Sequence, residues 1–412
     1  MPRLARLTAR LRAAARYDFS PRLSRRVRAA VGSPLGVLLL AAGVAVLVGL
    51  ALHPRVFALA GGLLAVAAAG VCWPWLTARG VRAAVGFDRP RGVEGAEVGA
   101  SATVTNHLPW PAWGLAVRDP QAGRAVRLPR LPGRARSVCR WVFVPPLRGE
   151  YPAGRPALGT GFPFGLWEAK RTADVTARLV VWPRTFPVGP VPAADGADVV
   201  EGNVTRNKVG STGDVLGVRP YRRGDSPRRV HWSQSAKHDR LIVCELQSNS
   251  RPVVLLVLDA DPAAHTPGPD GSREWAVRVA ASLAKGWLEA GAQVGLACGG
   301  TVLPPQAGGA QLTLVLDALA RVGPDCPPLA GVLADPRVKG DPAAVTVIVT
   351  SDAAGPVPPG GDRRWVVLAR SGFGGTEALS GARHPRAWLA IPSAEAVPHA
   401  LRHGTAEASH GS

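Results

Sequence analysis

Residues 35–52 read LGVLLLAAGVAVLVGLAL and residues 56–76 read VFALAGGLLAVAAAGVCWPWL, with only His53, Pro54 and Arg55 between them. Neither run carries a charge. Wound as a helix at about 1.5 Å per residue, each reaches roughly the 30 Å of a bilayer's hydrocarbon core. Proline lacks a backbone N–H and clashes with the preceding turn, so Pro54 ends the first helix and the chain must reverse at once. The expectation is a two-helix transmembrane hairpin over residues 35–76, with Trp73 and Trp75 near the second membrane interface. A cleaved signal peptide is disfavoured: a long Arg-rich stretch precedes the first run, no small-residue cleavage site ends it, and a second span follows directly.

Outward from the hairpin, nine arginines lie between Arg3 and Arg28 against the single acid Asp18. That asymmetry is the positive-inside pattern. Residues 1–34 are therefore expected as a basic cytoplasmic segment facing anionic membrane lipids. Two spans return the chain to its starting side, and Arg79, Arg82, Arg89 and Arg91 reinforce that placement. The formal net charge of +20 raises the question of nucleic acid. Much of the charge flanks the membrane segment, however, which makes headgroups the favoured partner and disfavours nucleic acid. Cys72, Cys139, Cys244, Cys298 and Cys326 occur singly with no C-x-x-C pair, which suggests neither a zinc site nor a disulfide framework and fits a reducing compartment. The rest of the 412-residue chain is too long for one small core, so more than one further domain is expected.

After the second span the rhythm changes to alternation. Val98, Ala100, Ala102 and Val104 alternate with Gly99, Ser101, Thr103 and Thr105, the mark of a strand with one face buried. Short runs recur at residues 114–117, 138–144 and 179–182 between Pro/Gly-rich connections, which predicts a small antiparallel β-sandwich over residues 82–187. Within it, Arg148-Gly149-Glu150-Tyr151 and Gly161-Phe162-Pro163-Phe164-Gly165-Leu166-Trp167 combine glycine turns with large aromatics. Those aromatics are expected to pack under a turn. Residues 188–212 open on a Pro-rich stretch and read as an extended linker.

Residues 213–250 form a basic block. Arg219, Arg222, Arg223, Arg228, Arg229, Lys237 and Arg240 outnumber Asp214, Asp225, Asp239 and Glu245, with Tyr221 and Trp232 interleaved. Gly224-Asp225-Ser226-Pro227 is a turn, and Asp225 or Ser226 can cap a short helix starting at Pro227. Residues 241–246 then return as a strand. A hydrolytic set could be drawn from Ser233 or Ser235, His231 or His238, and Asp225 or Asp239. No nucleophile elbow is present, and neighbours in one helix do not readily align as nucleophile, base and orienter. A nucleic-acid surface would use the arginines on phosphates and Tyr221 and Trp232 for stacking. The favoured reading is arginine bonding within the fold plus a partner-docking face.

This block resembles the signature R-x-Y-x-x-G-D-x-x-R-x-I-x-W-x-x-x-A of the bacterial family of domain of unknown function 58. Here Arg219, Tyr221, Gly224, Asp225, Arg228, Val230, Trp232 and Ala236 carry it, with valine where isoleucine is usual. The R-G-x-Y at residues 148–151, the P-F-G-L at 163–166 and the V-x-P-R at 181–184 also resemble that family's strand-rich part. Together with the twin spans, the resemblance covers most of the chain. It implies gene neighbours encoding a MoxR-type AAA+ ATPase and often a transglutaminase-like membrane protein, and a role with that ATPase in assembling or maturing other proteins. It implies no enzymatic activity.

Residues 251–403 alternate strand and helix: a buried strand at 253–258, helical spacing at 273–289, a strand at 293–297, a helix at 312–321, and strands at 345–349 and 365–368. The pattern predicts a doubly wound parallel sheet, whose ligands bind at the carboxyl ends of the strands. Asp259, Asp261 and Asp352 stand there, and the placement resembles a von Willebrand A domain. The metal site of that domain wants D-x-S-x-S, whereas residues 259–263 read Asp-Ala-Asp-Pro-Ala and lack both hydroxyls. The expectation is a degenerate site without a cofactor, Asp259 and Asp352 capping turns, with Mg²⁺ held by Asp259, Asp261 and Asp352 as the alternative. Residues 404–412 read as a polar, disordered tail.

The functional expectation is a membrane-anchored, non-enzymatic scaffold or adaptor for a MoxR-type ATPase. The proposed partner-binding residues are Arg219, Tyr221, Arg222, Arg223, Gly224, Asp225, Arg228, Arg229 and Trp232. A metal-assisted hydrolase at the three aspartates and a membrane-bound nucleic-acid binder using Arg222, Arg223, Arg228 and Arg229 are the alternatives.

Overall fold

The computed structural model describes residues 32–118, 125–192, 197–200, 203–222, 230–248, 251–338, 345–355, 363–375 and 387–404. The expected basic segment up to residue 31 and the expected tail from residue 405 lie outside them, as do Arg223, Gly224, Asp225, Arg228 and Arg229 of the signature.

Two apolar helices come first, α1 (Pro34–Ala51) and α2 (Val56–Gly80). Ser33 caps α1 by accepting from the Gly36 N–H at 3.1 Å, and Pro34 fits the first helical position because its missing N–H would be unsatisfied there anyway. The reversal is held by Val56 N–H donating to His53 O at 3.2 Å and Arg55 N–H to His53 Nδ1 at 3.2 Å. Small residues make the helix contact: Ala42, Ala45 and Gly49 are buried on α1, and Ala60 and Ala67 on α2. The Phe57 ring lies 3.2 Å from where a Cβ on Gly49 would stand, so a larger residue there would push the helices apart. Only 17% of the most apolar 18-residue stretch of either helix is buried, and Val37, Leu40, Val44, Leu47, Leu50 and Leu59 face outward. Both helices are long and apolar enough to cross a membrane.

The strand-rich segment contains β1 (Val81–Phe87), β2 (Arg91–Val93), β3 (Val98–Asn106), β4 (Ala112–Arg118), β5 (Ala125–Leu131), β6 (Arg136–Phe143), β7 (Gly149–Tyr151), β8 (Ala157–Thr160), β9 (Ala169–Thr172), β10 (Asp174–Val175) and β11 (Leu179–Trp182). Contacts divide the chain into two compact units. The first takes the helices and residues up to 90, 98–143 and 151–179; the second takes 91–97, 144–150 and 180–412.

In the first unit the sheets run β10-β1-β3-β6 and β5-β4-β8-β9. Strand β3 alternates buried and half-buried residues along its whole length, with Val98, Ala100, Ala102 and Val104 inward as their spacing predicts. Val81, Val85 and Val104 from one sheet and Leu115, Leu128 and Leu158 from the other join one apolar cluster. The aromatic expectation holds only for Tyr151, which is buried against Phe143 with centroids 5.2 Å apart. Phe162, Phe164 and Trp167 are exposed. The turn does form, Gly165 N–H donating to Gly161 O at 2.7 Å, but it turns these rings outward, where the packing expectation put them inward.

The second unit contains the three-stranded sheet β2-β11-β7 and a second one built from β12 (Ala197–Val200), β13 (Asn203–Pro220) and β14 (Ile242–Ser248), with α3 (Trp232–His238) before β14. The linker expected over 188–212 is corrected here. Strand β12 pairs antiparallel with β13, and β13 runs through the boundary drawn at 212. Val191 is buried in the apolar core, and Gly189 N–H donates to Leu401 O at 2.8 Å. The β-branched residues Val199, Val200, Val204 and Thr205 favour a strand, and the Pro-rich lead-in hid that signal.

The main sheet comprises β15 (Val253–Leu258), β16 (Gln293–Cys298), β17 (Thr301–Gln306), β18 (Val345–Ser351), β19 (Arg363–Leu368) and β20 (Leu389–Ile391), in the order β17-β16-β15-β18-β19-β20. Every pairing is parallel except β16 with β17. Among the described residues its longer helices are α4 (Ser272–Glu289), α5 (Gly309–Ala320) and α6 (Leu329–Ala334). Successive residues of β15 point to opposite faces: Val254, Leu256 and Leu258 pack with α4 and α5, and Leu255 and Val257 with α6. Helices thus cover both faces of a mixed sheet, which explains the continuous apolar run of β15.

Candidate functional site

The basic block is organised by one hydroxyl. Ser235 Oγ donates to His231 O at 2.9 Å and accepts from Ile242 N–H at 2.9 Å, so it ties α3 to β14 from a buried position. His231 is the N-cap of α3, its Nδ1 accepting from Gln234 N–H at 3.3 Å. The described helix starts at Trp232; the helix expected to start at Pro227, with the whole 223–229 turn, lies outside the described residues. Asp239 closes α3 in the left-handed region at φ 51°. Ser235 and His231, drawn above as a hydrolytic pair, spend these atoms on the backbone.

Arg219 lies on β13 opposite Val243, and its Nη1 donates to Pro220 O at 3.2 Å. Tyr221 N–H continues the ladder to Leu241 O at 2.8 Å. Trp232 opens α3 with 68% of its surface exposed, and Val218 and Leu241 are exposed as well. The described signature residues thus bring together a strand end, a helix start and an outward-facing indole.

The carboxyl ends of the parallel strands form a buried polar cluster. Asp259, just past β15, is 1% exposed. Its Oδ2 accepts from Thr350 Oγ1 at 2.6 Å and its Oδ1 from Asp261 N–H at 3.1 Å. Asp261 Oδ1 accepts from Ala263 N–H at 2.9 Å, and Asp352 Oδ1 from Arg370 N–H at 3.1 Å. His265 Nε2 lies 3.0 Å from Asp259 O, a group that can only accept, so the proton sits on Nε2 and Nδ1 accepts from Ser272 Oγ at 3.1 Å. Burial lowers the His265 pKa below its ordinary value, against the pull of Asp259. Thr266 and Ser272 exchange bonds: Thr266 N–H donates to Ser272 Oγ at 2.9 Å and Ser272 N–H to Thr266 Oγ1 at 2.7 Å. Among the described residues, no three His, Cys, Asp or Glu side chains converge as a metal-holding group.

Residues beyond the predicted set stand here too. The polar pair His265-Thr266 in the loop after a carboxylate-ended strand was the available signal. Cys298 and Cys326, read singly from the sequence, share a hydrogen bond that lowers the Cys326 thiol to about 7, helped by Arg273 and Arg148, while the same bond and burial push Cys298 up.

Arg148, from the R-G-x-Y motif, uses all three guanidinium nitrogens within this unit. It donates from Nε to Leu319 O at 3.0 Å and from Nη2 to Val322 O at 2.9 Å, covering carbonyls at the end of α5, and pairs with Glu274 on α4. Burial lowers its pKa to about 10, and Arg273 adds to that. It lines a cleft of about 470 Å³ with Glu150, Glu274 and Arg321. Nearby, Arg278 pairs with Glu94, and Arg91 pairs with Asp317 at 3.0 Å. Asp317 also accepts from Trp182 Nε1 at 2.7 Å. Burial opposes its charge, but these two donors hold its pKa below the usual carboxylate value.

Residues 217–355 match the model of the family described as "Protein of unknown function DUF58". No curated protein matches the sequence. Among solved structures, the CARDB domain of a Pyrococcus furiosus protein aligns at 12% identity over 23% of this chain and 94% of that one, TM-score 0.17. A β-glucosidase from Erythrobacter marinus aligns at 16% identity over 23% and 15%, TM-score 0.14. An exo-β-N-acetylglucosaminidase from Vibrio harveyi aligns at 11% over 45% and 32%, TM-score 0.18. At these scores none of the three bears on fold or activity.

Proposed function

We propose that this protein is a membrane-anchored adaptor without enzymatic activity, working with a MoxR-type AAA+ ATPase on client proteins, with a transglutaminase-like membrane protein as a further candidate partner. The observation that carries the docking role is Trp232, an indole left 68% exposed at the start of a short helix beside the basic strand end of Arg219 and Arg222. Exposed tryptophan beside arginine is the composition of an interface anchor. The outward apolar faces of α1 and α2 support anchoring, because a soluble core helix would bury them. The single apolar cluster drawn from both sheets of the first unit supports a β-sandwich. In the second unit, the main sheet, numbered from β15, has the order 3-2-1-4-5-6, which supports a doubly wound, von Willebrand A-like domain.

The donor set at the strand ends does not fit resident Mg²⁺. Asp259 is enclosed with both oxygens accepting hydrogen bonds, and positions 261 and 263 supply no hydroxyl, so a near-octahedral ion would lack ligands. Loop bracing is the role these aspartates fit.

The test is co-purification. Full-length protein in detergent should retain the MoxR-type ATPase encoded in the same genome, and the Trp232→Ala, Arg222→Ala double variant should lose at least about tenfold in retention with an unchanged melting temperature. Undiminished retention would remove the docking face from this block.

A further inference from the structure

The end of α2 carries a second surface, and all of it lies within the first unit. The 161–167 loop packs along α2: Leu166 Cδ1 lies 2.6 Å from where a Cβ on Gly70 would stand, so only glycine admits it. Gly70 is ten residues before Gly80, so the loop reaches roughly 15 Å back along an apolar helix. There it leaves Phe164 52% exposed, with Trp167 also outward. Trp73 and Trp110 face each other nearby at 6.3 Å, and both are exposed. Exposed aromatics level with one end of an apolar helix are what a headgroup boundary selects.

Beside them, Trp75, Arg79, Trp167, Lys170 and Arg171 line a cleft of about 420 Å³. The Arg79 guanidinium stacks 3.9 Å over the Trp75 ring. Arg171 Nη1 donates to Arg79 O at 2.8 Å, which covers a carbonyl at the helix end and turns an anion-repelling terminus into a cationic one. Lys170 is largely exposed; its Nζ is 3.7 Å from Glu168, whose carboxylate also binds Arg118 at 2.6 Å. Three cations against one already shared carboxylate leave the cleft net positive.

We propose that this cleft binds the phosphate headgroup of an anionic phospholipid, with Phe164 and Trp167 seated at the acyl boundary and Arg79, Lys170 and Arg171 around the phosphate. Cationic pockets beside membrane helices take such headgroups by charge, and aromatic neighbours fix the depth. The proposal rests on the membrane-anchored reading above.

The test uses the full chain in nanodiscs of phosphatidylcholine alone or phosphatidylcholine with phosphatidylglycerol, with retained lipid counted by mass spectrometry and melting followed in parallel. Wild type should retain phosphatidylglycerol and melt higher with it, and Arg79→Gln with Lys170→Gln should lower relative affinity for it by about 30-fold. Arg171 is left unchanged in that variant because it also caps α2. Equal retention by the variant, which still inserts, overturns the headgroup site and leaves anchoring intact. Equal stabilisation of the phosphatidylcholine sample by inorganic phosphate overturns the lipid in favour of a free anion. Failure of wild type to enter phosphatidylcholine discs overturns anchoring and this proposal together.

Discussion

His265 is locked as a neutral imidazole, its two nitrogens committed to Asp259 O and Ser272 Oγ in a site where burial disfavours charge. The unfolded chain takes up a proton near the ordinary histidine value of about 6.5, whereas the folded chain does not until lower pH. Over that window the unfolded state binds more protons, so stability falls as pH drops below about 6.5 and is unaffected by this group above it. Melting of the full-length protein should therefore decline from about pH 7.5 to about pH 5.5, and His265→Gln should flatten part of that decline. Identical pH profiles would contradict the assignment. Asp259 and Asp352 were legible as strand-end carboxylates because buried apolar runs precede them. Their partners were not: Thr350 lies 91 residues from Asp259, and only the strand order brings them together.

At the scale of elements, Arg148 shows how a turn motif can hold helices. Its fork serves one carbonyl in the last turn of α5, one just past it, and the carboxylate of Glu274 on α4, a geometry that an ammonium cannot reproduce. Arg148→Ala would take the nearer of two cations from the half-buried Glu274, leaving Arg273 at 3.7 Å, and would strip the donors from two carbonyls, at a cost of roughly 1 to 3 kcal/mol, and Arg148→Lys should recover only part of it. Thermal melts of the two variants decide this, and an alanine variant as stable as wild type would refute the bracing role. The elements themselves were readable where pattern was strong. Strand β3 followed from alternation, α4 and β15 from helical spacing and a continuous apolar run. Strand β17 was hidden because Pro304 and Pro305 argue against a strand, yet it is antiparallel at the sheet edge, where a missing N–H is tolerated. Strand β20 is three residues long and carries too little pattern to read. In the 161–167 loop the glycine turn was legible, but the outward aim of its aromatics depends on α2 lying alongside, which spacing alone does not state.

At the scale of the whole molecule, the chain carries two apolar helices in its first unit, each long and apolar enough to cross a membrane, and a basic block in its second. The hairpin was the most legible feature of the chain, since length, composition and Pro54 set it without reference to any distant residue. Nine arginines precede it between Arg3 and Arg28, outside the described residues, and by the positive-inside rule they make a cytoplasmic N-terminus the proposed orientation. A reporter fused after Ser412 of the full-length chain measures it directly, because two spans must return the C-terminus to the side of the N-terminus. The account predicts cytoplasmic reporter activity, and activity on the opposite face of the membrane would contradict it.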